Sequence, residues 1–331
     1  MLNTQESQSS LFDERIGLNT NLEDISKQIC IKYRLGQFVS NKLIKIGYED
    51  YSYVLTASGG RYCVKIFNRA KSKQEINGYL DTIKKVATSK LRTPRPLFIE
   101  NDILFHLTYK NVSYNICVFE YIDGQTYFEL GRKPSESEIK KIARQTAIIN
   151  ELDIRPNPVY DSWSPLNFKE EYRQKRGYVP NEYKEKFDSL LADFDKIDFI
   201  KLPRSFIHGD IVSTNVMVDK DGEIWIIDFT VSGYLPRIIE LAILACDICL
   251  NRDSKQKTYS NISLLLDEYD RLIPLTDYER QVFSEFYKLT NAMHILQTYF
   301  LAGQGKNSKE NEYYLAEGKI GYGYSENPSE S

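Results

Sequence analysis

The pattern of apolar residues changes once along the chain, near Asp123-Gly124, and that change limits the folds open to it. Before it, KLIKIG (42–47), YSYVLTA (51–57) and RYCVKIF (61–67) have the β-branched and aromatic character of strands. A short polar turn separates the first two, and Ser58-Gly59-Gly60 leads into the third, so an antiparallel three-stranded meander is expected. An amphipathic helix follows over 71–86, with Ile76, Leu80 and Ile83 at helical spacing, and ILFHLTY (103–109) and SYNICVFEYI (113–122) add two strands. Upstream, Asn21-Leu-Glu-Asp24 reads as the start of a helix that runs to about Arg34 and stops at Gly36. After Asp123-Gly124 the chain is mostly helical, with helices expected over 136–152, 167–176, 181–196, 237–251, 258–272, 277–302 and 308–318. The exception is a pair of short strands in IVSTNVMVD and EIWIIDF, joined by the turn Asp219-Lys-Asp-Gly222. The expected class is α+β: a β-rich N-terminal lobe over 19–122 and a mainly helical C-terminal lobe over 123–321, with frayed polar tails at 1–18 and 322–331. A cleft between unlike lobes is a natural place for a nucleotide.

Composition excludes several classes. A net charge of -3 argues against a dedicated nucleic-acid binder, which carries a basic footprint. No stretch approaches 18 uninterrupted apolar residues, so no membrane span is expected, and the first residues lack the basic-then-apolar order of a secretory signal. The five cysteines are odd in number and scattered, which suits a reduced, cytoplasmic setting. Cys246 and Cys249 lie in the apolar run ELAILACDICL with no second ligand pair elsewhere, so core packing is the reading for both.

One stretch carries chemistry. FIHGDIVSTNVMVDKDGEIWIIDF (206–229) places Asp210 at the start of a loop, Asn215 five residues later, and Asp228 thirteen further on after four apolar residues. The turn at Asp221-Gly222 folds one strand back on the other and brings Asn215 and Asp228 to the same end. A neutral and a charged oxygen ligand can then share a metal while Asp210 stays free as a base. Phosphoryl transfer from ATP needs that set: a carboxylate at the acceptor hydroxyl, ligands for a magnesium that bridges phosphates, and a cation on the phosphates. The alternative, a polar hairpin on a helical domain, accounts for Asp221-Gly222 and for a solvent-facing Asp219, but for neither His208-Gly209-Asp210 nor Asp228.

His208-Gly209-Asp210-x-x-x-x-Asn215 followed by Ile227-Asp228-Phe229 resembles the catalytic core of the aminoglycoside phosphotransferase and choline kinase family, which includes homoserine kinase-like enzymes. The resemblance runs from about residue 40 to 300 and implies a bilobal protein-kinase-like fold. It implies Asp210 as catalytic base, Asn215 and Asp228 as Mg2+ ligands, and His208 as a brace for the catalytic loop. Lys65, mid-strand in Cys63-Val-Lys-Ile-Phe67, resembles the phosphate-contacting lysine, and Glu75 on the next helix is its ion-pair candidate. Val118–Gly124 resembles the interlobe hinge, where adenine would bond to backbone around Glu120 and Ile122, with Ile227 and Met217 as apolar contacts. Gly47–Ser52 stands where a phosphate-covering turn is expected; it lacks G-x-G-x-x-G, keeps Ser52 as a phosphate contact, and carries an extra carboxylate, Asp50. Glu240 stands where the family usually has an aspartate that ties its helix to the catalytic loop.

The reading is an ATP- and Mg2+-dependent phosphotransferase acting on the hydroxyl of a small molecule: an amino alcohol, amino acid, sugar or aminoglycoside-type acceptor. Candidate acceptor residues are Tyr160–Trp163, Arg237, Asn291 and His294. Two alternatives stand beside it. One is a non-catalytic nucleotide-binding regulator on the same fold. The other is a Ser/Thr protein kinase, disfavoured because the glycine loop is missing and Thr230 follows Phe229.

Overall fold

The computed structural model describes residues 16, 21–44 and 50–326. These fall into two compact units, one running through Ser89 and over Thr93–Asp123, the other comprising Lys90–Arg92 and the chain from Gly124 onward. Among the described residues no helix is long and apolar enough to cross a membrane.

The first unit begins with helix α1 (Leu22–Lys32), capped by the Asn21 side chain, which accepts from the Glu23 N–H at 3.0 Å. Strands β1 (Phe38–Leu43), β2 (Tyr51–Ala57) and β3 (Gly60–Ile66) form the expected antiparallel meander. Helix α2 (Lys73–Ala87) and strands β4 (Phe105–Tyr109) and β5 (Val112–Glu120) complete an antiparallel sheet in the order β1-β2-β3-β5-β4. Strict alternation sorts the faces: Tyr51, Tyr53, Leu55, Val64, Ile66, Tyr114, Ile116 and Val118 enter one core with Ile25 and Ile29 of α1. The opposite face of β3 carries Lys65. The first strand lies earlier than expected, ending at Leu43; residues 45–49, including the first half of the phosphate-covering turn, lie outside the described residues.

The second unit opens with strand β6 (Gly124–Thr126) and helices α3 (Tyr127–Leu130), α4 (Glu136–Asn150), α5 (Phe168–Lys175) and α6 (Asn181–Phe194). Strands β7 (Arg204–Ile207), β8 (Val216–Asp219), β9 (Ile224–Ile226) and β10 (Gly233–Pro236) follow. Helices α7 (Ile238–Cys246), α8 (Lys255–Asp270), α9 (Asp277–Gly303) and α10 (Lys309–Glu326) close the chain. The strands make two small antiparallel sheets, β6-β8-β9 and β7-β10. Ser/Thr-x-x-Glu capping boxes start α2, α3, α4 and α9, each satisfying otherwise orphaned N–H groups. Helix α9, buried along Phe286, Leu289, Met293, Ile295 and Leu296, packs against α5, α6, α7 and α10.

Three expectations change. In place of a tail from residue 322, α10 runs to Glu326, with Tyr322 and Ser325 buried; at this end residues 327–331 lie outside the described residues. The helix expected over 237–251 ends at Cys246, although Cys246 and Cys249 are buried free thiols as expected. Asp219 is no solvent-facing turn residue. Its Oδ1 accepts the N–H groups of Asp221 and Glu223, both at 2.9 Å, and its Oδ2 accepts Trp225 Nε1–H at 2.8 Å, so it organises the turn itself.

Candidate active site

The second unit holds His208, Asp210, Asn215 and Asp228 together through backbone geometry that the local sequence sets. Val216 pairs with Ile226 across β8–β9, and Ile227 N–H donates to the Asn215 carbonyl at 3.0 Å. Asn215 and Asp228 therefore leave the same end of the hairpin. Asp228, an exposed residue, has φ 65°, a left-handed conformation that few non-glycine residues adopt; Thr230 Oγ1 donates to its Oδ1 at 2.5 Å. Gly209 has φ +84°, and a Cβ there would lie 3.0 Å from the Val231 carbonyl, so the position requires glycine.

His208 is wholly buried and braces the loop from inside. Its Nε2 meets the Ile227 carbonyl at 2.9 Å and its Nδ1 meets the Asp210 N–H at 3.1 Å. A carbonyl can only accept and an N–H can only donate, so the imidazole is neutral with its proton on Nε2. Burial pushes it down to about 4, in keeping with the neutral form. One ring thereby joins the residue before Asp228 to the backbone of Asp210. Phe229 packs against it with ring centroids 4.4 Å apart.

Glu240, buried on α7, holds the other side. Its Oε2 accepts the His208 N–H at 2.6 Å and its Oε1 accepts the Gly209 N–H at 3.0 Å. The longer side chain thus makes the tie that the resemblance implies for an aspartate. Burial pushes its carboxyl up to about 7 despite those two donors.

Asp210 is oriented at both ends. Asn215 Nδ2–H donates to its Oδ2 at 2.6 Å and to its backbone carbonyl at 3.0 Å, while Asp210 Oδ1 takes no hydrogen bond among the described residues. Burial, followed by the charges of Asp161, Asp228 and Glu310, raises this carboxyl well above the ordinary range. Because Asn215 uses its amide N–H group on Asp210, its carbonyl oxygen remains for a cation.

Asp161, within the candidate acceptor segment Tyr160–Trp163, lies near enough to Asp210 to act on its charge, whereas Glu310 escaped the sequence reading, since it lies far from Asp210 in the chain. Around them Trp163 packs on Tyr314 (5.9 Å) and His294 (6.0 Å), and Tyr314 OH meets Thr214 Oγ1 at 3.0 Å. Two acceptor candidates have other work. Arg237 grips buried Glu279 with two 2.8 Å bonds, and Asn291 is wholly buried between Cys246 and the Tyr287 carbonyl. A further network was invisible in sequence: Lys133 Nζ donates to Asp247 Oδ1 (3.1 Å), Tyr313 OH (2.7 Å) and Glu317 Oε2 (2.6 Å), and Asp247 also takes the Ser213 hydroxyl of the catalytic loop.

In the first unit, Ser52 lies directly across from Lys65 in the β2–β3 ladder, so their side chains share the face opposite the core. Lys65 is buried and its Nζ stands 5.0 Å above the Tyr79 ring. The expected Lys65–Glu75 pair does not form. Glu75 is exposed and folds back onto its own helix start, where its Oε2 accepts the Ser72 N–H at 2.7 Å. Lys65 instead has Asp50 beside it at 3.5 Å, and Asp50 also meets Lys71 Nζ at 2.9 Å and accepts the Asn68 N–H at 3.0 Å. In the hinge segment the Glu120 side chain accepts the Arg95 N–H at 2.9 Å, so its carboxylate serves the fold. Ile122 makes no backbone hydrogen bond among the described residues, which leaves its N–H and carbonyl available. Ile227 and Met217, each half-buried, belong to the second unit.

The chain matches the phosphotransferase enzyme family over residues 40–275, more than two thirds of its length. Among curated proteins it is 24% identical to a homoserine kinase of Methylobacillus flagellatus over 268 residues, covering 75% of each chain. It is 23% identical to a homoserine kinase of Rhizobium rhizogenes, covering 78% of this chain and 79% of that one. Among solved structures, the amicoumacin kinase in complex with AMP-PNP and Ca2+ matches with a TM-score of 0.67 at 17% identity, covering 93% of this chain and 94% of that one. The microcompartment-associated aminopropanol kinase matches at 0.64 and 14% identity, covering 92% and 96% respectively. The chain therefore belongs to the phosphotransferase enzyme family and is a small-molecule kinase with a protein-kinase-like fold.

Proposed function

We propose that this kinase moves the γ-phosphoryl group of ATP, with Mg2+, to a hydroxyl of a small acceptor by in-line transfer. The observation that carries the reading is Asp210, oriented by Asn215 and His208 yet with Oδ1 left open, in surroundings that favour proton uptake. In the reaction Asp210 Oδ1 takes or orients the acceptor's hydroxyl proton as the acceptor oxygen bonds to the γ-phosphorus and the β–γ bridging oxygen departs. The donor set suits magnesium: the Asn215 carbonyl and the Asp228 carboxylate supply two oxygens, and the remaining positions fall to phosphates and water. Bound there, the cation would offset charge on the phosphates. Lys65 supplies a cation to the phosphates, Ser52 a hydroxyl beside it, and the backbone around Glu120 and Ile122 the adenine contacts. His208 and Glu240 act on the loop and not on the substrate.

Because the curated relatives are homoserine kinases, homoserine is the first acceptor to test. A coupled ATP-turnover screen with Mg2+ would cover homoserine, choline, ethanolamine, methylthioribose, hydroxylysine and aminoglycosides, with Asp210→Asn as control. Acceptor-dependent turnover that vanishes in the variant supports the reading; full turnover in Asp210→Asn removes Asp210 from the mechanism.

A further inference from the structure

We infer that Asp247, fixed by Lys133, is a positioning residue for the catalytic loop: it holds Ser213, beyond Asp210 in the loop, and ties that point to helix α10. The inference rests on the proposed role of Asp210 at the acceptor hydroxyl.

Helix α7 grips the loop on both sides of Asp210. Glu240, in its first turn, takes the N–H groups of His208 and Gly209. Asp247 follows the last residue of the same helix, about two turns further on, and its Oδ1 accepts the Ser213 hydroxyl. The Ser213 carbonyl accepts the Phe128 N–H at 3.0 Å, so both the side chain and the backbone of this residue are tied. Asp247 is itself fixed. Lys133, in the link between α3 and α4, donates to Asp247 Oδ1 at 3.1 Å and to the Asp247 backbone carbonyl at 2.7 Å. One ammonium therefore sets both the carboxylate and the chain that carries it.

The same Nζ reaches α10, donating to Tyr313 OH at 2.7 Å and to Glu317 Oε2 at 2.6 Å, while Arg252 meets the other oxygen of Glu317. Tyr313 OH lies 3.1 Å from Ser213 Oγ, and the neighbouring pair, Thr214 Oγ1 and Tyr314 OH, meets at 3.0 Å. Two successive loop residues are thus matched by two successive tyrosines of α10, and Tyr314 packs on Trp163 of the candidate acceptor segment. Asp247 and Glu317 are wholly buried. A buried ion pair is weak evidence of stability, since well-packed apolar residues of the same volume often serve as well. Apolar residues cannot aim an acceptor at the Ser213 hydroxyl, and that is what Lys133 and Asp247 do here. With its loop held on both sides, Asp210 keeps its place against the acceptor.

The test is a double-mutant cycle in steady-state turnover, with Mg2+·ATP and homoserine, or whichever acceptor of the screen is turned over. Asp247→Ala should lower kcat by roughly 10²-fold, the scale of a misplacement of about 1 Å, with KM for Mg2+·ATP within about twofold. Ser213→Ala alone should lower kcat by roughly three- to tenfold, the scale of one hydrogen bond. Because both act at one point of the loop, the double variant should lose little beyond Asp247→Ala. Losses that multiply show independent actions and overturn the inference, as does a loss confined to KM for Mg2+·ATP. Arg144→Met breaks the 2.7 Å pair of Arg144 with Glu268, which joins α4 to α8 away from the loop, and should leave kcat unchanged. A kcat loss there as large as in Asp247→Ala would mean general loosening and overturns the inference too. If Asp247→Ala does not fold, Tyr313→Phe takes its place in the cycle. It should lower kcat and couple with Ser213→Ala; an unchanged kcat or multiplying losses overturn the inference. No turnover of any acceptor by the unsubstituted protein removes the functional reading, and the positioning role with it. Turnover with independent losses removes the positioning role alone.

Discussion

The stretch from His208 to Asp228 and the stretch from Asp50 to Glu75 each bring charged side chains to a site, but they do so by different means. In the first, backbone hydrogen bonds and one hairpin register fix nearly every group: His208 bonds to the Ile227 carbonyl and the Asp210 N–H, and Ile227 bonds to Asn215. In the second, side-chain reach decides. The sequence offered Glu75 as the partner of Lys65, but the fold engages Glu75 as a helix cap and sets Asp50 beside the lysine. Backbone-fixed sites read well from spacing; sites joined by long flexible side chains do not.

The largest expected effect tests the first region. Asp210→Asn should lower turnover on the order of 10²–10⁴-fold while Mg2+·ATP affinity, measured by calorimetry, stays near that of the unsubstituted protein. Equal losses in both would make Asp210 a binding group and erase the contrast between the regions.

The second region is next. Replacing Asp50 by Asn removes a buried carboxylate that meets both Lys65 and Lys71, so urea denaturation should show a loss of about 3 kcal/mol. A loss no larger than that of Glu75→Gln would return the two acidic residues to equal standing.

A pH experiment sharpens the comparison. Folded Glu240 titrates near 7, against about 4.3 in an unfolded chain, so the folded protein holds that proton more firmly. Its contribution to stability is most favourable at low pH and is lost as pH rises to 7. His208 runs the other way: held near 4 against about 6.5 unfolded, it costs stability as pH falls from 6.5 toward 4. In the unsubstituted protein the two slopes oppose each other. Glu240→Gln removes one of them, so its stability deficit should be greater at pH 5 than at pH 7 by about 2 kcal/mol. Urea midpoints at the two pH values check this, and a deficit that grows toward neutral pH would contradict it.

The smallest effects concern the helix cap. Ser72→Ala removes the acceptor for the Glu75 N–H and should cost about 1 kcal/mol. Glu75→Gln preserves the box and should stay within about 0.5 kcal/mol. A much larger loss in Glu75→Gln would mean that this carboxylate acts beyond its own helix.

The sequence by itself determined the α+β class, the order of the five N-terminal strands and of the long helices, and the loop that carries His208, Asp210, Asn215 and Asp228, but not the short strands β6, β7 and β10. The physical reason is that strand alternation, turn residues and cap residues act over a few neighbours, and the hairpin needs nothing more distant to set its register. Only the tertiary structure decided the rest. It joined Lys65 to Asp50 and Glu240 to the N–H groups of His208 and Gly209, and set Asp161 and Glu310 near enough to raise Asp210. Those partners are separated by tens of residues or belong to different elements, and burial, which sets the strength and the titration of each pair, exists only once the chain has packed.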